Sequence, residues 1–374
     1  MHMKGHNSLC PCRMCEIQGI RIPDSRNKSL YVPLSRRNHP RPTDVIEYHL
    51  NKLPLCEHHH LMAQAKSVES VPTEIRQEEL AKAYGIKGVP LLSALGSLRF
   101  PQSFPFDFMH LVWENLIPNL VLFWSGCYKG MDEGQQYILD SHIWQDVDTT
   151  SIEATKMIPS SFGVSIPNPA TDRSCFTSLT WLVWSLFIAP TVLRCRFPQE
   201  CYYKHFCSLV KILNLCLQFK ISEKEIKEIE SGIHKWVVDY KQCVPPFISK
   251  KLNTDSIHTS SLYYQHNPKQ LLACPLTIHT LLHIPDQIRW MGPCWTTWAF
   301  PIERQCAYFQ CSIQSRRNLY VSMDRHLTDL LQLQQIKLLY NLTDEQLGKP
   351  PNSLSLHTKR LENCKSCLGA FTLI

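Results

Sequence analysis

The stretch GHNSLCPCRMC, residues 5–15, gathers His6, Cys10, Cys12 and Cys15 into eleven positions. Cys12 and Cys15 have the C-x2-C spacing that lets two thiolates converge on one tetrahedral zinc, with sulfur about 2.3 Å from the ion. His6 stands six residues before Cys12 and His39 twenty-four after Cys15. The spacing predicts a structural Zn²⁺ site on His6, Cys12, Cys15 and His39, with Cys10 as a substitute ligand; the competing reading is a loop of reduced thiols.

Other residues could also do chemistry. His279 and His283 lie four apart, a spacing that can present two imidazoles to one metal from a helix. No acidic residue stands between them, and Leu281, Leu282 and Ile284 flank them, so they read as packed, hydrogen-bonded histidines. Cys364 and Cys367 repeat C-x2-C with no second pair in reach. Asp107 sits where a helix N-cap is expected, with His110 one turn later. Glu303 opens a helical segment after the aromatic approach WTTWAF, a favourable place for a carboxylate beside the helix dipole. Lys4, Arg304, Arg316 and Arg317 could meet phosphates.

The elements that must position these residues are mostly helical. With 44% apolar residues the 374-residue chain can fill a core, and a net charge of +7, from 39 basic against 32 acidic residues, suits a phosphate-rich partner. The seventeen cysteines are dispersed and no apolar leader precedes them, so reduced thiols are expected. Residues 174–193 run uncharged for twenty positions, near the length of a membrane span. Ser, Thr and Pro dilute the run, which reads as a buried core helix. From Asp107 a helix should carry Met109, Val112, Leu116 and Leu120 on one face, kinked or interrupted by Pro118. Phe206, Val210, Leu213 and Leu217 form one stripe. Ser222 and Glu225 form a capping box opening a second, of Ile226, Ile229, Ile233, Trp236, Val237 and Tyr240.

The segments GHNSLCPCRMCEIQGIRIP, YVPLSRRNHPRP, GIKGVPLLSALGSLRFPQSFPFDFMHLVWENLI, YYQHNPKQLLACPLTIHTLLHI and MGPCWTTWAFPIER together resemble the transposases of CACTA (En/Spm-like) DNA transposons, in the form found in fungal genomes. The resemblance runs in order from residue 1 to about 340. It implies an RNase H-like core of the DDE class, in which three carboxylates hold two divalent ions, Mg²⁺ or Mn²⁺, for in-line attack on a DNA phosphodiester. The family's P-C-R-x-C element falls on Pro11–Cys15 and its H-P element on His39–Pro40. Its D-x-x-H signature falls on Asp107 and His110, and the acidic residue of its I-E-R element on Glu303, which makes these three the candidate catalytic residues.

The family's first two catalytic aspartates lie upstream of its G-H-N element, and only four residues precede Gly5 here. The expectation is therefore a truncated, catalytically inactive transposase-like protein. Its fold class is mixed α/β and mostly α: a Cys/His-rich module and linker over 1–66, a partial RNase H-like core over 67–130, an all-α insertion over 131–260, a return to the core over 261–340, and a tail over 341–374. DNA is the implied partner, the nucleus the implied location, with a homo-oligomer open and no membrane. The alternatives are a non-catalytic zinc- and DNA-binding interaction protein, or a pseudogene product.

Overall fold

Three prolines stand inside apolar helical stretches, and each marks a change of helix type. In the computed structural model of the chain, Pro118, Pro190 and Pro285 each occupy the first turn of an α-helical segment. A π-helical stretch precedes Pro118 (His110–Leu116) and Pro190 (Trp184–Ile188), and a 3-10 turn precedes Pro285 (Leu281–His283). Proline cannot donate to the carbonyl four residues back, and its ring crowds that carbonyl. A local change of helical pitch relieves both problems without ending the rod. The interruption expected at Pro118 takes this form.

The structure describes residues 1–23, 25–26, 29–37, 39–40, 44–128, 131, 135–158, 166–169, 172–241, 262–264, 268–311, 313 and 317–342. The chain is mostly helical. Among the described residues there is no strand, only isolated antiparallel bridges at Met3–Ile86, Cys15–Leu55, Ile20–Tyr31 and Ser35–Glu47. It packs as two units, Met1–Lys156 with Ile166–Thr297, and Met157–Ser165 with Trp298–Ile374. In the second, helices span Phe300–Cys311 and Leu319–Tyr340. Cys364 and Cys367 lie outside the described residues.

In the first unit, α1 (His58–Glu69) and α2 (Glu74–Tyr84) bury Leu61, Ala65, Val68 and Ala81 with Ile86 and Phe100. The N-terminal segment is tied to the end of α2. The Lys4 N–H donates to the Gly85 carbonyl (2.8 Å) and the Leu9 N–H to that of Lys82 (2.7 Å). Gly85 is left-handed, φ +81°, and a Cβ there would lie 2.1 Å from the Cys10 carbonyl oxygen, so only glycine fits this helix end. Further on, the Val32 N–H donates to the Cys274 carbonyl (2.9 Å), and buried Lys241 donates its ammonium to the Val32 carbonyl (2.9 Å).

Next come α3 (Ile117–Trp124), α4 (Ser141–Thr155), and the uncharged run, folded as α5 (Ser178–Val183), the π turn and α6 (Ala189–Val192). Trp181, Leu182, Val183, Trp184, Ile188 and Ala189 are buried in this run. No helix among the described residues is long and apolar enough to cross a membrane.

The two stripes read from the sequence pack as α7 (Glu200–Cys216) against α8 (Glu223–Lys241), with Phe206, Val210, Leu213, Ile226, Ile229, Ile233 and Trp236 all buried. The capping box closes from both sides: Ser222 N–H donates to Glu225 Oε2 (2.7 Å) and Glu225 N–H to Ser222 Oγ (3.4 Å). Gly232 lets the helices approach, since a Cβ there would stand 3.0 Å from Ile212 Cγ1. α9 (Leu276–Thr280) packs against the π-helical stretch His110–Leu116, and the 3-10 turn Leu281–His283 and α10 (Ile284–Met291) pack against α8.

His205 and Trp236 lock α7 to α8. Their rings stack at 4.4 Å, His205 Nε2–H donates to the Trp236 carbonyl (3.0 Å), and the indole N–H donates to the His205 carbonyl (3.1 Å). Burial pushes the His205 pKa down from 6.5 to about 4, the hydrogen bond to Trp236 opposing it only in part. The unfolded chain then binds one more proton than the folded one between pH 6.5 and 4. Stability from this site is complete above pH 6.5 and is lost as pH falls through that window, by about 3 kcal/mol. Urea unfolding between pH 7 and 4 should show this slope, and His205→Gln should be less stable at pH 7 with a flatter profile.

Candidate metal centre

The loop Cys12–Cys15 is held by backbone bonds on both sides. The Cys56 N–H donates to the Met14 carbonyl (2.9 Å), Glu16 N–H to Pro54 (2.8 Å) and Gly19 N–H to Leu9 (2.6 Å). Cys12, Met14, Cys15 and Ile17 are all buried. Met14, Ile17, Ile20, Val32 and Leu34 are buried around it and give the segment a core of its own.

The fold brings His279 and His283 to this loop. His279 lies in α9, and His283 ends the 3-10 turn Leu281–His283 just before α10. Cys15 Sγ stands 3.1 Å from His279 Nε2, across 264 positions of sequence, and Cys12 Sγ 3.4 Å from His283 Nε2, across 271. The two Nε2 atoms are 3.2 Å apart. The four donor atoms all lie within 4.8 Å of one another, and all four residues are buried. Around a tetrahedral zinc with bonds of about 2.3 Å to sulfur and about 2.05 Å to nitrogen, the sulfur–nitrogen edge is about 3.5 Å and the nitrogen–nitrogen edge about 3.3 Å. The three separations above lie within about 0.5 Å of those edges, so the residues fit a metal such as zinc.

The electrostatics suit the same occupant. Burial raises the Cys12 thiol, but the hydrogen bond from Cys15 and the charges of His283 and His279 outweigh it, and its pKa falls well below the ordinary value. Cys15 is raised well above by burial and by the Cys12 thiolate. Cys12 is thus the more readily ionised of the two sulfurs, in the form that binds a cation. Burial pushes His279 down to about 4, against the pull of Cys12, keeping its imidazole neutral and able to ligate. The Met14 N–H reaches Cys12 Sγ at 3.4 Å, and the Ile17 N–H bonds Cys15; such amide contacts stabilise metal-bound thiolates. His279 Nδ1 is buried without a hydrogen-bond partner among the described residues.

No protein-family model, curated protein or solved structure matches the chain. The site therefore rests on its own geometry.

The ligand set expected from the sequence is corrected in its histidines. Cys12 and Cys15 belong to the cluster, but His39 turns its Nε2–H to the Arg21 carbonyl (2.9 Å), and the His6 side chain lies outside the described residues. Cys10 is also elsewhere, its thiol 3.9 Å from the Glu16 carbonyl and pushed up to about 11 by burial and by Glu16. His279 and His283, read from sequence as packing histidines, take the two places. The available signal was their four-residue spacing set against a C-x2-C pair lacking partners.

Asp107 and His110 share one helical turn at the start of the π-helical stretch. His110 Nδ1 pairs with Asp107 Oδ2, its Nε2 lies 3.5 Å from Glu114 Oε2, and Ser178 Oγ donates to Glu114 Oε1 (2.6 Å). Glu303 lies in the second unit, in the first turn of the helix Phe300–Cys311, its N–H donating to the Ala299 carbonyl (2.9 Å). Lys4 is engaged by Glu78, and Arg316 lies outside the described residues.

Metal analysis of the purified protein should find about one zinc per chain. Cys12→Ser and His283→Gln should each lose metal to a chelator that the unaltered protein resists, and should melt at lower temperature. His39→Ala should keep both metal and stability.

Proposed function

We propose that this protein is a DNA-binding chain of transposase descent, held together by one zinc ion on Cys12, Cys15, His279 and His283, and that residues 1–374 do not themselves cleave DNA. The observation that carries the zinc part is the set of two sulfurs and two nitrogens at coordination separations in a buried site. When bound, the ion supplies two positive charges that neutralise two thiolates, and it needs no open position for substrate. Cys12 and Cys15 fix one end of the unit and His279 and His283 the other, with four protein ligands closing the shell as in structural zinc sites.

The transposase reading rests on the ordered segments that resemble the CACTA family. The D-x-x-H signature supports it locally, since Asp107 and His110 pair on one turn. The RNase H-like core belongs to this reading through the resemblance alone, with α7 and α8 as part of the all-α insertion. In the same reading Glu303 is the third carboxylate, and the protein acts in the nucleus on DNA. A net charge of +7 favours phosphate binding.

Inactivity follows from the charge that two divalent ions require. The family's signatures supply Asp107 and Glu303 here, too few carboxylates to neutralise a two-metal centre and bring a scissile phosphate between the ions. Binding to transposon-end DNA should weaken linearly on a log–log plot against salt, and neither Mg²⁺ nor Mn²⁺ should support nicking beside a Glu303→Gln control. Metal-dependent cleavage that Glu303→Gln abolishes would overturn the inactive reading. Salt-insensitive or absent DNA binding would overturn the descent-based one.

A further inference from the structure

Between the two metal-binding cysteines stands Arg13, and its guanidinium does not point to solvent. It lies over the Phe106 ring, 4.0 Å from the centroid, and donates through Nη2 to the Pro105 carbonyl. Its charge acts on both Cys12 and Asp107. From the histidine side, Gln287 Oε1 accepts the Phe106 N–H (3.2 Å), and the His283 ring lies stacked towards Phe106, centroids 6.5 Å apart. Pro105 and Phe106 are thus gripped by one residue from each half of the metal centre's surroundings.

The next residue is Asp107. It precedes the helix, and its carboxylate bonds the Met109 N–H (3.1 Å) through Oδ1 and His110 Nδ1 through Oδ2. Its carbonyl accepts the Leu111 N–H (3.0 Å), which ties its C-terminal side to the helix. Its N-terminal side follows Pro105 and Phe106, which Arg13 and Gln287 hold.

We propose that metal binding at Cys12, Cys15, His279 and His283 positions the Asp107–His110 pair, with Arg13 and Phe106 as the connecting contact. The inference rests on the metal centre described above. Removing the ion unties Cys12 and Cys15 from His279 and His283, shifts the Arg13 guanidinium on Phe106 and the Pro105 carbonyl, and loosens the carboxylate that selects the His110 tautomer. Arg13 and Phe106 are positioning residues. The plane of the guanidinium matters as well as its charge, because a lysine ammonium has no flat face to lay on the Phe106 ring.

The test reads the His110 ring by ¹⁵N NMR on histidine-labelled full-length protein at pH about 8.5, where ordinary imidazoles are neutral. A His110→Gln variant assigns the signal, and Co²⁺ absorption reports the metal centre separately. Metal-loaded protein should show His110 protonated mainly on Nδ1, the tautomer that Asp107 accepts. Chelation, Arg13→Ala and Phe106→Leu should each shift the tautomer ratio towards Nε2–H by about tenfold, the worth of one hydrogen bond to a charged group. The two variants should keep the tetrahedral cobalt spectrum. If they bind cobalt normally and His110 is unchanged, the coupling is overturned and the metal centre stands; if Arg13→Ala fails to fold, Phe106→Leu decides in the same way. A wild-type protein that binds no cobalt overturns the metal centre and the coupling with it.

Discussion

Two thiols and two imidazoles face one another in a dry interior, and the order of the first unit depends on what satisfies them. Four buried donor atoms converge there, the two imidazole nitrogens 3.2 Å apart. A divalent cation would satisfy all four, make the cluster with two thiolates neutral and join points more than 260 residues apart. The closure of so long a loop would otherwise have to be met by apolar packing and backbone hydrogen bonds alone. The N-terminal segment shows how much help it receives: bonds to Gly85 and Lys82 near its start, to Pro54 and from Cys56 at its middle, and to Cys274 and from Lys241 beyond it.

The helices that deliver the donors tolerate prolines by changing pitch. His279 and His283, four residues apart, bring their Nε2 atoms to 3.2 Å across the 3-10 turn that ends at His283, just before Pro285. The π-helical stretch before Pro118 carries His110 and Glu114, with Asp107 just ahead of it, and His110 touches both carboxylates. Both sites are thus built where backbone hydrogen bonding departs from the α pattern, a common property of π and 3-10 insertions at functional positions.

Much of the helical architecture was legible because it is local. The stripes of α7 and α8 are set by 3.6-residue spacing, and their boundary by Ser222 and Glu225, so the buried faces could be named residue by residue. The uncharged run over 174–193 was legible as core because hydroxyls and Pro190 interrupt it. Half of the metal site was legible too, since C-x2-C needs only a tight loop. The other half depends on tertiary contact. His39 and His6 were nearer in sequence, and nothing in the spacing of His279 and His283 shows that they pack on the Cys12–Cys15 loop. The strands of the expected α/β core came from family resemblance rather than residue pattern, and none occurs among the described residues.

The central claim is that one tetrahedral ion with two sulfur and two nitrogen ligands joins the ends of the first unit. X-ray absorption at the zinc edge of the intact purified protein tests this directly. The account predicts two sulfur scatterers at about 2.3 Å and two imidazole nitrogens at about 2.0–2.1 Å, with the sulfur shell reduced by half in Cys15→Ser protein that retains metal. A first shell of oxygen and nitrogen alone, or a folded protein isolated free of metal, would contradict it.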